Sequence, residues 1–253
     1  MNNSILYRVG LPTFVGVSII GLWQLMSFVG AINPIMIPSP WDIGVAFSEL
    51  VTRGYFWQAT WFTLQETIYG FAIGVTLGLV IGALTGTFPM FRTAIYPFVI
   101  AFQNTPRVAL APIFLTWFGF GMTSKVVMAA VICFFPVVIN TVAGMASVGD
   151  NAKMLFRSLG ASRAQTFFRL TLPGASEIAF AGIKTALTLA LLGAIVAEFV
   201  GGSVGLGVLI KELNFQLEVA KGFAVVLILA VIGLTLYGLI ELLERYLITW
   251  KHD

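Results

Sequence analysis

Residues 61–87 read WFTLQETIYGFAIGVTLGLVIGALTGT, an apolar stretch longer than the roughly 20 residues that a helix needs to cross a bilayer. Residues four apart lie on one face of a helix, and a face of small residues lets a second helix approach closely. Five glycines recur at this spacing: Gly70, Gly74, Gly78, Gly82 and Gly86. We interpret the stripe as a packing surface between spans; the alternative is that it lines or seals a translocation path.

Composition extends this interpretation to the whole chain. Of its 253 residues, 58% are hydrophobic and 10% are charged, and the mean hydropathy is +0.96. Soluble domains are far less apolar. We therefore predict one all-α integral membrane domain over residues 1–253. The net charge of +3 is explained by orientation in the membrane, and no basic run suggests nucleic-acid binding.

About six transmembrane helices fit the chain. We place an N-terminal span at about 11–29 and core spans between about 61 and 247, at 61–87, 93–118, 124–146, 177–200 and 221–247. Between the first two, Pro38 and Pro40 exclude continuous helix, and Asp42 is expected to cap a short amphipathic helix over 41–51. That helix is expected on the membrane surface.

The positively charged residues predict the orientation. Six spans place both termini on one side, and cations gather on the cytoplasmic side of a membrane protein. The terminal side carries eight of them: Arg8, Arg92, Lys153, Arg157, Arg163, Arg169, Arg245 and Lys251. The other side carries four: Arg53, Lys125, Lys211 and Lys221. Both termini are therefore predicted to be cytoplasmic.

The third predicted span contains polar groups and two prolines, which predict a broken helix. They are Gln103, Asn104, Pro106, Arg107 and Pro112. Irregular backbone at membrane depth requires protein or a water-filled cavity around it, and an ionisable residue there suggests a functional site. Gln103, Asn104 and Arg107 are therefore candidates for the lining of a translocation path. The alternatives are that Arg107 snorkels to the interface or holds freed carbonyls.

Two more ionisable residues, Lys184 and Glu198, lie in the fifth predicted span and are also path candidates. They are separated by about 21 Å along a helix, so they are not expected to pair with each other.

A basic, amphipathic stretch interrupts the apolar sequence at residues 149–173, GDNAKMLFRSLGASRAQTFFRLTLP. Asp150 or Asn151 is expected to cap a first helix that ends at Gly160. Ser162 and Gln165 fit a capping box for a second helix, which Pro173 is expected to end.

The apolar side chains of this segment are expected to be shielded from water by another surface. Leu155, Phe156, Phe167 and Phe168 are expected to be exposed on a cytoplasmic loop. A groove on a partner protein and the lipid headgroups are both compatible with them.

At these residues the chain resembles the permease subunits of bacterial ABC importers, within them the nitrate/sulfonate/taurine group. Their signature is Glu-Ala-Ala, three residues, a glycine, and a later Ile-x-Leu-Pro. Gly160 and the sequence LTLP at 170–173 match, whereas residues 154–156 read MLF and lack the acidic residue. Further matching motifs are IPSP at 37–40, ALAP to WFGFGMTSK at 109–125, SLGASRAQ at 158–165 and AEFVGGSVGLG at 197–207.

The resemblance implies a type I ABC importer-like permease fold in the bacterial cytoplasmic (inner) membrane, with a coupling helix between spans 4 and 5. That helix lies in residues 150–173, which we call the coupling segment. It implies a homodimer, a dimer of ATPase subunits that binds ATP and Mg, and an extracytoplasmic binding protein that delivers a small polar or anionic solute. It implies ATPase coupling for the following residues: Leu155, Phe156, Gly160, Ala161, Ser162, Phe167, Phe168, Leu172 and Pro173.

Two other classes of membrane protein fit the sequence less well. An ion-coupled secondary transporter is expected to have paired broken helices, and only one break is evident. An enzyme needs converging catalytic groups, and Glu66, Glu177, Lys184 and Glu198 form no recognisable set. With one cysteine, Cys133, and one histidine, His252, we expect neither a metal site nor a catalytic residue. The chain has no P-loop, so ATP is expected to bind to a partner.

Overall fold

A computed structural model describes residues 10–249 of the chain. In that part the regular structure is helical and contains no strand. Arg8, Lys251 and His252, which entered the predictions above, lie outside the described residues.

The helices of the described residues are numbered here in chain order. They are α1 Leu11–Phe28, α2 Pro40–Val51, α3 Gly54–Thr87, α4 Pro89–Gln103, α5 Ala111–Phe118, α6 Met122–Ser147, α7 Asp150–Ser158, α8 Arg163–Thr166, α9 Leu172–Gly201, α10 Leu206–Phe215 and α11 Val219–Leu247. A 3₁₀ turn, Arg107–Leu110, precedes α5, and a π turn, Phe167–Thr171, joins α8 to α9. Within residues 10–249, five helices are long and apolar enough to span a membrane, and the bent pair α4–α5 makes a sixth span if it is counted as one.

The bundle is built on α6, which packs against α3 on one side and α9 on the other. Helix α3 runs parallel to α6, because Gly78 lies against Val137 and Gly82 against Thr141. Helix α9 runs antiparallel to α6, since Gly144 meets Ala175 and Ala129 meets Gly193. Small side chains, including Ala129, Ala186 and Ala190, are fully buried in this core and keep the helices close.

The predicted break in the third span is confirmed. Helices α4 and α5 meet at an angle of 92°. Because α3 and α6 run parallel, the chain must return across the bundle between them, and the bent pair α4–α5 makes that crossing.

The remaining helices surround this core. Helix α2 packs on α11 through Ile43, Ala46 and Leu50. It is capped by Ser39, whose Oγ accepts from the Asp42 N–H at 3.1 Å. The prediction that Asp42 is the cap is therefore wrong: the Asp42 carboxylate instead accepts from the Ser39 N–H, which completes a capping box.

Pro173 does not end a helix, contrary to the prediction. The chain stays helical from α8 through the π turn into α9, and the Leu172 N–H donates to the Phe167 carbonyl. The wider π turn lies directly before Pro173, a residue without an N–H, and the helix continues past Pro173.

Helix α10 was not predicted, and α3 begins at Gly54, seven residues before the predicted start at 61. Helix α10 lies at the end of the bundle where α3 and α6 begin. It packs against α11, α9 and α3.

Candidate functional site: the coupling segment and the polar groups of the spans

The coupling segment forms two short helices joined by a tight turn. Helix α7 ends in a Schellman motif: Gly160 has φ +75°, its N–H donates to the Arg157 carbonyl at 3.0 Å, and the Ala161 N–H donates to Phe156 at 2.9 Å. The glycine predicted to end this helix is therefore in the left-handed conformation expected for it.

The capping box predicted for the second helix of the segment is present. The Gln165 N–H donates to Ser162 Oγ at 3.2 Å, and the Ser162 N–H donates to Gln165 Oε1 at 2.8 Å. Helix α7 differs from its prediction, because Gly149 occupies the N-cap position and neither Asp150 nor Asn151 caps the helix. Asp150 lies in the first turn, where a carboxylate is favoured by the helix dipole.

The prediction that four apolar side chains of this segment are exposed is confirmed for two of them. Leu155 is 58% exposed and Phe168 is 65% exposed, whereas Phe156 and Phe167 are half-buried. The Phe167 and Phe168 rings meet edge to face with centroids 5.0 Å apart. Leu159, which the predictions left out, is 75% exposed and lies four residues after Leu155, on the same face of the turn. We call Leu155, Leu159 and Phe168 the coupling face.

Arg107, at the break between α4 and α5, binds backbone carbonyls. Its Nη1 donates to the Ile132 carbonyl at 2.8 Å and its Nη2 to the Gln103 carbonyl at 3.4 Å. The guanidinium also lies 5.5 Å from the centroid of the Phe135 ring. Gln103 and Asn104 are exposed, and the Asn104 side chain donates to the Ile100 carbonyl. Of the interpretations given above, these contacts fit the holding of freed carbonyls.

Glu198 lies in a buried polar cluster that joins α3, α9 and α10. Its Oε1 accepts from the Thr63 hydroxyl at 2.6 Å and its Oε2 from the Gly207 N–H at 2.6 Å. Thr63 Oγ1 in turn accepts from the Leu206 N–H at 2.8 Å. Two side chains from other helices therefore cap the first turn of α10.

Glu66 and Lys125 complete this cluster. The Glu66 carboxyl lies against that of Glu198, and Lys125 Nζ is 3.9 Å from Glu66 Oε1. The Lys125 ammonium also donates to the carbonyls of Phe120 and Gly121. Glu66 and Glu198, which were expected to form no recognisable catalytic set with Glu177 and Lys184, are brought together by the fold. Their positions in the sequence do not predict this contact, because only the packing of α3 on α9 brings the two carboxyls together.

Lys184 pairs with Glu244 of α11 and lies 5.8 Å from the centroid of the Tyr237 ring. As predicted, it does not pair with Glu198. The five path candidates therefore occupy three separate places: the break between α4 and α5, the buried cluster around Glu198, and the α9–α11 interface.

The glycine stripe of α3 faces α6. A Cβ on Gly78 would lie 2.7 Å from Val137 Cβ, and one on Gly82 would lie 2.7 Å from Thr141 Cβ. Both separations are shorter than real Cβ contacts, so these positions require glycine at the observed spacing of the helices.

Comparison with known proteins identifies the family. Residues 74–249 match the family described as binding-protein-dependent transport system inner membrane component. The chain belongs to this family, within its nitrate/sulfonate/taurine type, and is a permease subunit of an ABC importer and an inner-membrane component.

The names of similar proteins mention different solutes. The chain is 31% identical to the formylaminopyrimidine transport permease protein ThiX of Halalkalibacterium halodurans, over 97% of both chains. It is 35% identical to the riboflavin transport system permease protein RibX of Chloroflexus aurantiacus, over 96% of this chain and 90% of the relative. It is 33% identical to the putative aliphatic sulfonates transport permease protein SsuC of Bacillus subtilis, over 93% and 85%.

A solved structure supports the fold. An amino acid ABC transporter with histidines superposes with a TM-score of 0.65 at 20% identity, over 79% of this chain and 97% of that chain. The type I ABC importer permease fold predicted from the sequence is thereby confirmed.

Proposed function

We propose that this permease subunit forms half of a translocation pathway and is driven by a separate ATPase dimer that docks on the coupling face. The observation that carries the proposal is the exposure of Leu155, Leu159 and Phe168 on a basic, well-capped turn. An apolar face of this kind fits a groove on a protein partner. ATP and Mg bind to that partner, and this chain transmits its movement.

The pathway is completed by a second copy of the chain, and an extracytoplasmic binding protein delivers the solute. Both termini lie in the cytoplasm, on the same side as the coupling segment, in accord with the excess of cations there. The permease domain extends over residues 1–253.

The cargo is a small polar or anionic organic solute. Formylaminopyrimidine, riboflavin and aliphatic sulfonates, named for three relatives, are small organic solutes and support this range. Gln103, Asn104, Arg107, Lys184 and Glu198 remain the proposed path residues.

The test is a pair of matched variants of this chain, each co-expressed with the ATPase subunit of the transporter. Leu155→Asp places a charge on the coupling face and is expected to abolish co-purification of the ATPase while membrane insertion is retained. Leu217→Asp is the control, since Leu217 is 73% exposed at the opposite end of the bundle. Equal ATPase recovery with both variants would overturn the proposed docking.

A further inference from the structure

Two carboxyl groups lie against each other where α3, α9 and α10 meet. The Glu66 and Glu198 side chains are in hydrogen-bond contact, and the two residues are only 1% and 0% exposed. Two ionised carboxylates repel each other, and neither has a proton to donate to the other. A direct contact between them therefore requires a proton on one of the two groups.

The donors around the pair indicate which carboxyl is ionised. Glu198 accepts from the Thr63 hydroxyl on one oxygen and from the Gly207 N–H on the other, both at 2.6 Å. These bonds stabilise a carboxylate. Glu66 is placed differently, because its Oε1 faces Lys125 Nζ at 3.9 Å and no N–H or O–H donor of the described chain reaches its buried Oε2. An oxygen of this kind is suited to carry the proton and to donate to Glu198.

The charge of the cluster leads to the same assignment. Lys125 is only 2% exposed and supplies one positive charge. With both carboxyls ionised, the cluster would carry one uncompensated negative charge in the interior of the bundle, where burial of an unpaired charge is costly. With one proton bound, Lys125 balances Glu198 and Glu66 is neutral.

Within the described part of the chain, Lys125 is the one cation placed against the pair. On α10, Lys211 instead bonds the Phe199 carbonyl at 3.3 Å, and Glu212 is exposed. Other titratable groups of the packed helices are exposed or lie further along their helices: Tyr55 and Tyr69 of α3, Cys133 of α6, and Glu177 and Lys184 of α9. The charge balance at the pair is therefore set by Lys125 and the two carboxyls.

We propose that Glu66 and Glu198 form a binding site for one proton, which Glu66 carries and shares with Glu198. Because Glu198 also accepts from the Gly207 N–H in the first turn of α10, the proton joins α3 to the cap of α10. When the proton leaves, the two adjacent carboxylates repel each other and the contact of α3 with α9 and α10 is weakened. The site is thus a pH-sensitive contact at the end of the bundle opposite the coupling segment, and it requires neither the solute nor the ATPase.

Infrared spectroscopy of the purified full chain at neutral pH detects the proton directly, because a protonated carboxyl has a C=O stretching band that a carboxylate lacks. We expect this band in the unmodified chain and its loss in Glu66→Gln, in which an amide donates to Glu198 instead. Glu198→Gln is also expected to lose the band, because Glu66 then faces one cation with no second carboxylate beside it and ionises. Glu212→Gln, at an exposed position of α10, is the control and is expected to keep the band.

The pH dependence of α10 tests the consequence. Opening of the cluster releases one proton to water, so the equilibrium constant for opening is expected to rise about tenfold per pH unit while the closed state keeps its proton. Hydrogen exchange of the Leu206 amide is compared between the unmodified chain and Glu66→Gln at the same pH, which cancels the intrinsic pH dependence of exchange. The ratio of the two rates is expected to rise with pH. Glu212→Gln is expected to exchange like the unmodified chain at every pH.

Three results would overturn the proposal. Identical infrared spectra for the unmodified chain and Glu66→Gln would show that Glu66 is ionised. A band that persists in Glu198→Gln would show that Glu66 keeps its proton without Glu198, so the proton is not shared. Protection of the Leu206 amide that is lost when choline replaces sodium, and that does not change with pH, would assign the site to a metal cation.

Discussion

Arg107 donates a hydrogen bond of 2.8 Å to the carbonyl oxygen of Ile132. That carbonyl stands four residues before Pro136, which lies inside α6 and has no N–H to offer it. The break between α4 and α5 exposes a donor where the proline of α6 leaves an acceptor. The Arg107 side chain therefore supplies the hydrogen bond that the Ile132 carbonyl cannot receive within α6. Backbone polar groups need such a partner where water is absent.

Arg107→Met is expected to destabilise the chain, because it leaves the carbonyls of Ile132 and Gln103 without this donor. The expected loss is about 1–3 kcal/mol, the cost of an unsatisfied buried polar group. Unfolding of the purified chain in detergent, followed by circular dichroism, measures it.

Pro136→Ala gives the matched background for this measurement. Alanine restores the N–H, so the Ile132 carbonyl regains a partner within α6 and Arg107→Met is expected to cost less there. An equal cost in both backgrounds, in a double-mutant cycle, would show that the hydrogen bond to Ile132 is not what Arg107 contributes.

Glu198→Gln is expected to loosen the start of α10. The carboxylate accepts from both Thr63 and Gly207, whereas an amide has one oxygen and must turn its NH₂ towards one of these donors. Hydrogen exchange of the Leu206 and Gly207 amides is expected to rise about tenfold, the equivalent of one lost hydrogen bond of roughly 1.4 kcal/mol.

Thr63→Val is expected to have the same effect on the Leu206 amide, since Thr63 Oγ1 is its acceptor. Thr60→Val is the control. The Thr60 hydroxyl, one turn away on the same helix, donates to the Phe56 carbonyl. If all three variants exchange alike, the polar cluster does not cap α10.

The positions of the spans could be predicted because hydropathy is summed over about 20 residues and tolerates local exceptions. The break near Arg107 was also predictable, since prolines and a cation in one apolar span conflict with a continuous helix. The contacts that relieve the break were not predictable. They depend on how α4, α5 and α6 pack, because that packing places the Ile132 carbonyl, four residues before Pro136, beside Arg107.

Helix α10 shows why short elements were missed. It has ten residues, its start is capped by side chains from α3 and α9, and its end carries no glycine. Leu217 occupies the left-handed position instead, with φ +58°, in a Schellman motif closed by the bond from the Glu218 N–H to the Leu213 carbonyl at 2.9 Å. Neither end follows the local rules that sequence reasoning uses.

Ser162→Ala is expected to destabilise the start of the second coupling helix by about 1 kcal/mol, because it removes the acceptor for the Gln165 N–H. The change leaves the apolar side chains of the coupling face unaltered. It therefore tests the stability of the second helix separately from the contacts that these side chains make. Hydrogen exchange of the Gln165 amide measures the loss.

Ser158→Ala serves as the comparison for this variant, since the Ser158 hydroxyl donates to the Leu155 carbonyl within its own turn. Its effect on the Gln165 amide is expected to be negligible. Equal exchange in the two variants would mean that the capping box does not hold the second helix.

The glycine stripe gives a prediction about helix spacing. Gly78→Ala places a methyl group 2.7 Å from Val137 Cβ, so α3 and α6 must separate, at a cost of about 1–3 kcal/mol for overpacking. Gly238→Ala is the control because a Cβ there meets nothing within 4 Å, and alanine favours the helix by up to about 1 kcal/mol. The midpoint of thermal unfolding in detergent is expected to fall for Gly78→Ala and to hold or rise for Gly238→Ala. If both variants shift the midpoint of thermal unfolding equally, close packing does not explain the stripe.

Unchanged unfolding of Gly78→Ala together with lost uptake by the full complex would then favour the alternative that the stripe lines the path.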